Sequence, residues 1–333
     1  MKRLLLIALG AVALMAADQA FAQNHVWDMP NEYPATSIQG EGDRRFGELL
    51  HKKSDGQIKI VHHFGGSLGF RSRDQLDAVA DGAVVLANTF VPPLGGIDPI
   101  FLLSSLPFMA ANAKEARLLY EVAKPYYEQV YAAHNQKLLY ASPWPQSGLW
   151  GRAPADSMQA LQGLKLRTYD VNGTRAFQAA GAAPIQLSWA DIIPQVSTGG
   201  IDAVLTSIES GISASFDDYL KFFTQLNYDS TINMVTMNLD TWNGLSKEHQ
   251  AAVIEAAKET EDYLWTEIEK VVERRYQTAR ERGVTVVQDV QDGYREKLRE
   301  LAEPVIRAWA ASAGEKGERL IAEYRARLGQ AGE

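Results

Sequence analysis

The stretch Leu161–Ser207 reads LQGLKLRTYD VNGTRAFQAA GAAPIQLSWA DIIPQVSTGG IDAVLTS, and its alternating patterns decide the architecture. Leu164 to Tyr169 reads as a strand, Gly173 to Ala180 as a helix, and Ile185-Gln186-Leu187 as a second, short strand. Trp189 to Ser197 follows as a helix stopped by Gly199-Gly200, and the apolar run Ile201 to Leu205 is again strand-like. Strands alternating with short helices build an α/β layer. Arg167 falls at the carboxyl end of the first strand, where open α/β sheets present groups to ligands. Its planar guanidinium can make two parallel hydrogen bonds to a carboxylate. Taken alone, though, a single arginine is more often half of a surface ion pair.

The same alternation extends outward. Upstream, Ile38 to Lys53 carries Phe46, Leu49 and Leu50 at helical spacing, and Gln57 to His62 is a strand after the turn at Asp55-Gly56. Gly65 to Gly69 is a loop. Ser72 to Ala80 reads as a helix ended by Asp81-Gly82, and Ala83 to Ala87 suits a buried parallel strand. Lys137 to Ser142 is a further strand. Downstream, Thr231 to Leu239 is extended, and Ser246 to Arg282 is one helical pattern with no proline or glycine. Its stripe of Leu264, Ile268, Val271 and Val272 is flanked by charges. A helix of this length spans roughly 55 Å, too long for one lobe, so a brace across two lobes is expected. A coiled-coil dimer seam is the alternative use. Val284 to Val287 is a last strand, and Tyr294 to Leu328 a C-terminal helix broken near Ala313-Gly314.

Lys2 and Arg3 precede an apolar run from Leu4 to Ala17, and the segment closes on Ala20-Phe21-Ala22. This predicts a secretory signal over residues 1–22 and a mature protein in the periplasm. Cysteine is absent, so no disulfide supports the fold and no lipid anchors the mature N-terminus. The net charge of −8 becomes −9 when Lys2, Arg3 and Asp18 leave with the signal. A mixed, negative surface carries no footprint for nucleic acid or anionic lipid. The mature length predicts two lobes.

The search for catalytic chemistry finds no cysteine nucleophile, no Gly-x-Ser-x-Gly elbow and no phosphate-cradling glycine loop. His62 and His63 are neighbours on a strand and point to opposite faces. His25, His51, His134 and His249 are scattered, so neither a metal nor another cofactor is expected.

The whole mature chain resembles the solute-binding subunits of tripartite ATP-independent periplasmic (TRAP) transporters, the DctP-like family. Phe46-Gly-Glu-Leu, Asp55-Gly56-Gln-Ile-Lys-Ile, Phe64-Gly-Gly-Ser-Leu-Gly69 and Leu106-Pro107-Phe108 match its first-lobe pattern. Gly163-Leu-Lys-Leu-Arg167, Leu187-Ser-Trp189 and Gln195 to Asp202 match its second-lobe pattern. The resemblance implies a two-lobed α/β periplasmic binding protein fold with a long bridging helix. It implies that Arg167 holds a ligand carboxylate, that Trp189 packs on the ligand and that Thr206 completes the anion site. It also implies two integral-membrane permease subunits as partners.

Departures from the family narrow the ligand. Ala87 to Pro93 carries no charge, where sialic-acid and ectoine binders place charged side chains. A second arginine seen in many members falls near Gln146 and Ser147, and Leu205-Thr206 stands where the metal-assisted 2-oxo-acid binders have Glu-Trp. What remains near the expected cleft is aromatic and amide-rich: Trp27, Phe90, Trp144, Trp150, Tyr169 and Trp189, with Asn88, Gln146 and Asn238. Such a pocket suits an aromatic or hydrophobic monocarboxylate, 2-oxo and hydroxy acids included. A C4-dicarboxylate or other polar acid, or a ligand-sensing periplasmic adaptor, is the alternative, and an enzyme lacks a visible nucleophile and base. The expected lobes are 23–144 with 232–272 and 145–231 with 273–333, helix 246–282 spanning both, in a monomer.

Overall fold

The computed structural model describes residues 25–331, so the expected signal at 1–22 lies outside the described residues. The chain begins with β1 (His25–Pro30), α1 (Ile38–Lys53), β2 (Ile58–His63), α2 (Ser72–Ala80) and β3 (Leu86–Phe90). Two 3-10 turns lead to α3 (Ala113–Ala133) and β4 (Gln136–Pro143). The chain then crosses to β5 (Ser147–Gly151), β6 (Lys165–Thr168), α4 (Val171–Ala179) and β7 (Ala183–Gln186). A 3-10 turn at Trp189–Asp191 opens α5 (Ile192–Ser197), followed by β8 (Ala203–Ser207), α6 (Ile208–Ser213) and β9 (Phe222–Thr224). It returns through β10 (Ile232–Asn238) and closes with α7 (Leu239–Gly244), α8 (Lys247–Glu281), β11 (Thr285–Val287) and α9 (Tyr294–Ala331).

The strands form two lobes. In the first, β1 and β2 pair in parallel beside the sheet β3-β10-β4; the second holds one six-stranded sheet, β11-β9-β5-β8-β6-β7. Two crossovers, 144–146 and 225–231, join them. Within the second lobe β6 pairs in parallel with β7 and β8, so Arg167 sits beside Ile185 and Val204. The expectation at Ala83–Ala87 needs correction. The strand there is Leu86–Phe90, and it runs antiparallel to β10. Gly82, at φ +73°, turns the chain after α2, and the neighbour that covers β3 is the strand returning from the other lobe.

Helix α8 is the expected brace. Ser246 caps its start by accepting from the His249 amide at 3.2 Å, and Gly283, at φ +80°, follows its last turn. Thirty-five residues span about 52 Å. It packs on α1 and β4 of the first lobe and on α6 and β11 of the second. Leu264, Ile268 and Val271 are buried within the chain, which is where the apolar stripe goes. Helix α9 breaks at Gly314 (φ +63°). From Trp309 on, ahead of the break as well as after it, the helix rests on the first lobe, not on the second as the 273–333 boundary had it: Trp309 donates to the Pro99 carbonyl at 2.6 Å and Tyr324 to that of Met109 at 3.1 Å. Among the described residues no helix is long and apolar enough to cross a membrane.

Candidate ligand-binding site

Arg167 emerges at the carboxyl end of β6 and is only 3% exposed. Its Nε donates to the Leu187 carbonyl at 3.0 Å and its Nη1 to that of Leu205 at 3.4 Å, so the residue after β7 and the middle of β8 orient the guanidinium. Its charge centre lies 5.6 Å from the Tyr169 ring and 6.0 Å from Trp189. Among the described residues it forms no ion pair within 4.0 Å. Burial lowers the pKa of the guanidinium, an effect that Tyr33 and Glu32 oppose, and arginine stays protonated.

The nearby carboxylates have other work. Glu32, also buried, accepts from the Ser72 amide at 2.9 Å and hydroxyl at 2.8 Å through Oε2, and from the Ala190 amide at 3.2 Å through Oε1. Asp170 caps α4 through the Gly173 amide at 2.9 Å and accepts from Ser105. Burial raises its pKa to about 6. Asp229, raised to about 7 by burial, accepts from the Tyr169 hydroxyl and so fixes that ring.

Aromatic rings from both lobes close over the arginine. Tyr33 lies 4.7 Å from Trp144 and reaches across to Trp189 at 4.8 Å; Phe90 meets Tyr169 edge-on at 5.4 Å. Beneath them Ser147, Thr206, Ser207, Ser210 and Thr231 line a chamber of about 10 Å³, room for a single water. A vestibule of about 340 Å³ leads to it, edged by Glu32, Ser72, Arg73, Gln186 and Ser188. Two inter-lobe contacts clasp this side: Ala190 to Glu32, and Arg71 to Asp191 at 2.7 Å.

Of the residues singled out in the sequence, Arg167, Trp189, Thr206, Phe90 and Tyr169 meet in this chamber, as does Trp144. The other five do not. Trp150 is fully buried in the second lobe, donating to the Ser207 carbonyl at 3.0 Å and packed on Gly211. Trp27 belongs to the first-lobe core. Asn238 caps α7 and donates to the Val79 carbonyl at 2.9 Å. Asn88 is buried behind the chamber wall, donating to Asp43 at 2.6 Å. Gln146 lines a different cavity and donates to the Ala110 carbonyl at 3.1 Å.

Sequence reasoning missed Tyr33, Glu32 and, Thr206 apart, the hydroxyl floor. Tyr33 follows β1, a strand that the alternation did not reveal, and the serines lie at the start of β5 and the start of α6, which only folding brings together. Among the described residues no group of three or more His, Cys, Asp or Glu could hold a metal ion. His62 stacks on Phe64 at 5.6 Å while His63 pairs with Asp28 at 2.7 Å, so the two rings do point apart.

Comparison with known proteins fits this geometry. The ectoine/5-hydroxyectoine-binding periplasmic protein UehA of Ruegeria pomeroyi is 23% identical over 338 residues, covering 96% of each chain. The crystal structure of DctP7, a Bordetella pertussis extracytoplasmic solute receptor binding pyroglutamic acid, superposes with a TM-score of 0.86 at 25% identity, covering 90% of this chain and 99% of that one. A marine metagenome TRAP solute binding protein specific for pyroglutamate gives the same TM-score and identity over 91% of this chain and 99% of its own. The model of the bacterial extracellular solute-binding proteins, family 7, matches residues 29–312, and the chain belongs to this family, the DctP solute-binding proteins of TRAP transporters.

Proposed function

We propose that the chain captures a compact organic monocarboxylate in the periplasm and delivers it to TRAP permease subunits by closure of its two lobes. The observation that carries this reading is a buried arginine with no carboxylate partner among the described residues, lining both the small chamber and the vestibule of about 340 Å³, where a compact acid has room between aromatic rings. An unpaired buried cation is unfavourable by several kcal/mol, and a ligand carboxylate relieves that. Charge-assisted hydrogen bonds contribute about 1.5–3 kcal/mol each, and micromolar affinity needs about 8 kcal/mol in total. Ring contacts and closure supply the remainder.

The rings flank a flat or hydrophobic body, and the hydroxyl floor serves one or two polar atoms on it. A 2-oxo, hydroxy or lactam acid has both features. Pyroglutamic acid, the ligand named for two relatives, is a small ring with one carboxylate. A dicarboxylate draws less support: the second cation nearby, Arg73, is a well-exposed vestibule residue. The two crossovers at 144–146 and 225–231 support a hinge there, about which ligand binding shifts an open–closed population. The signal pattern at 1–22 supports export.

A thermal-shift panel of small acids tests the reading. Pyroglutamate, benzoate-like and aryl-2-oxo or hydroxy acids are expected to stabilise the mature protein. Stabilisation by succinate or malate alone would overturn it.

A further inference from the structure

Behind the ligand chamber lies a second cavity, of about 210 Å³, between the crossovers and α8. The wall between them is the crossover chain itself. Neighbouring residues face opposite ways: Ser147, Thr231 and Ser207 line the chamber, while Gln146, Ser230 and Ile208 line the rear cavity. Trp144 borders both.

A buried hydrogen-bond chain holds the Trp144 indole. Trp144 Nε1 donates to Asn233 Oδ1 at 2.7 Å, Asn233 Nδ2 to Asn88 Oδ1 at 2.7 Å, and Asn88 Nδ2 to Asp43 Oδ1 at 2.6 Å. Asn31 Nδ2 donates to the other Asp43 oxygen at 2.7 Å, and Asn31 Oδ1 accepts the Tyr33 amide at 2.8 Å. Every amide in the chain is oriented by its neighbour, and both ends reach aromatic residues of the chamber. Asp43, which is fully buried, is the common acceptor. Removing an acceptor from such a chain leaves donors facing donors.

Resting on the reading of the chamber as the carboxylate site, we infer that Trp144 sets the upper size of the ligand. Its indole partitions the carboxylate chamber from the rear cavity, and Asp43 positions it through Asn88 and Asn233. Ile268, Val272 and Tyr276 give the rear cavity an apolar side. With the partition removed, the site takes acids whose carboxylate rests on Arg167 and whose acyl or aryl-alkyl tail enters that space. The wild-type protein excludes them.

The experiment compares the full mature chain with its Trp144→Ala and Trp144→Leu variants by thermal shift and calorimetry. The probes are two compact acids, pyroglutamate and benzoate, and two long ones, octanoate and 4-phenylbutyrate. The expected result is a gain of at least 10-fold in affinity for a long acid relative to a compact one. Leu keeps part of the packing should Ala fail to fold. Asp43→Asn touches no ligand, and it is expected to move the long-to-compact ratio in the same direction; a purely structural role would lower stability and leave the ratio alone. If the variants keep the wild-type ratio while compact acids still bind, the partition is wrong. If no carboxylate binds the wild type and Arg167→Lys changes nothing, the chamber reading itself has failed.

Discussion

Arg167 shows how one side chain combines a structural cost with a binding role. Both backbone carbonyls it donates to are neutral, so its charge has no full counter-charge in contact. Lysine at this position keeps the charge and loses the planar fork. Arg167→Lys is expected to weaken carboxylate binding roughly 10- to 150-fold, the equivalent of one charge-assisted hydrogen bond at about 1.5–3 kcal/mol. Calorimetry with the acid that binds the wild type best measures this; undiminished affinity would remove Arg167 from the site. The residue was legible because it falls at the carboxyl end of a strand pattern and because Gly163 to Asp202 resembles the family's second lobe. Its lack of a partner was not legible, since that depends on what Glu32 and Asp170 do in three dimensions.

Helix α6 connects the chamber to the rest of the second lobe. Its N-cap Ser207 accepts from the Ser210 amide at 3.1 Å, and both serines line the chamber. One turn on, Gly211 lies against the indole of Trp150, where an added Cβ would stand 2.2 Å from a ring carbon. This contact explains why Trp150 is a core residue and why glycine occupies a helix that alanine would favour by about 1 kcal/mol. Gly211→Ala is therefore expected to destabilise by about 1–3 kcal/mol, because a rigid buried ring cannot yield. Denaturant unfolding checks it, and a stabilised variant would contradict the packing.

Elements with a clean period were read well. Helix α8, with its uninterrupted pattern, and the alternation from β6 to β8 match their expected places within a few residues. Of those missed, strand β1 (HVWDMP) ends in proline and β5 (SGLWG) begins and ends on small residues, so local pattern marks neither. Helix α3 does carry the signal, with Leu119, Ala123, Tyr127 and Val130 buried at helical spacing, but Pro125 in its middle masks it. The same limit applies to the site: a tryptophan bordering a cleft and a tryptophan in a core look alike in one dimension, and only the fold puts Trp144 on a crossover beside the cleft and Trp150 on a strand inside the second lobe.

Across the molecule, four fully buried acids carry pKa values well above the ordinary range. Asp170 stands at about 6, and Asp43, Glu209 and Asp229 at about 7, each mainly through burial. In the unfolded chain these groups titrate near 4. Between pH 4 and 7 the folded state therefore holds more protons than the unfolded one, and stability falls as pH rises through that window. Histidine acts against this. His62, lowered to about 4 chiefly by burial with Arg44 and His63 adding to it, is neutral in the fold and protonates on unfolding below pH 6.5, and His25 is shifted in the same direction by burial and His249. Four acids outweigh two histidines, one of them largely exposed. Melting temperature is thus expected to be higher at pH 5 than at pH 8, the reverse of a fold stabilised by ionised carboxylate pairs. Asp229→Asn keeps an acceptor for the Tyr169 hydroxyl and removes one titrating group, so its melting temperature should change less between those two pH values. A wild-type melting temperature that falls steadily from pH 8 to pH 5 would show that these acids are ionised in the fold, with cations or water reaching them.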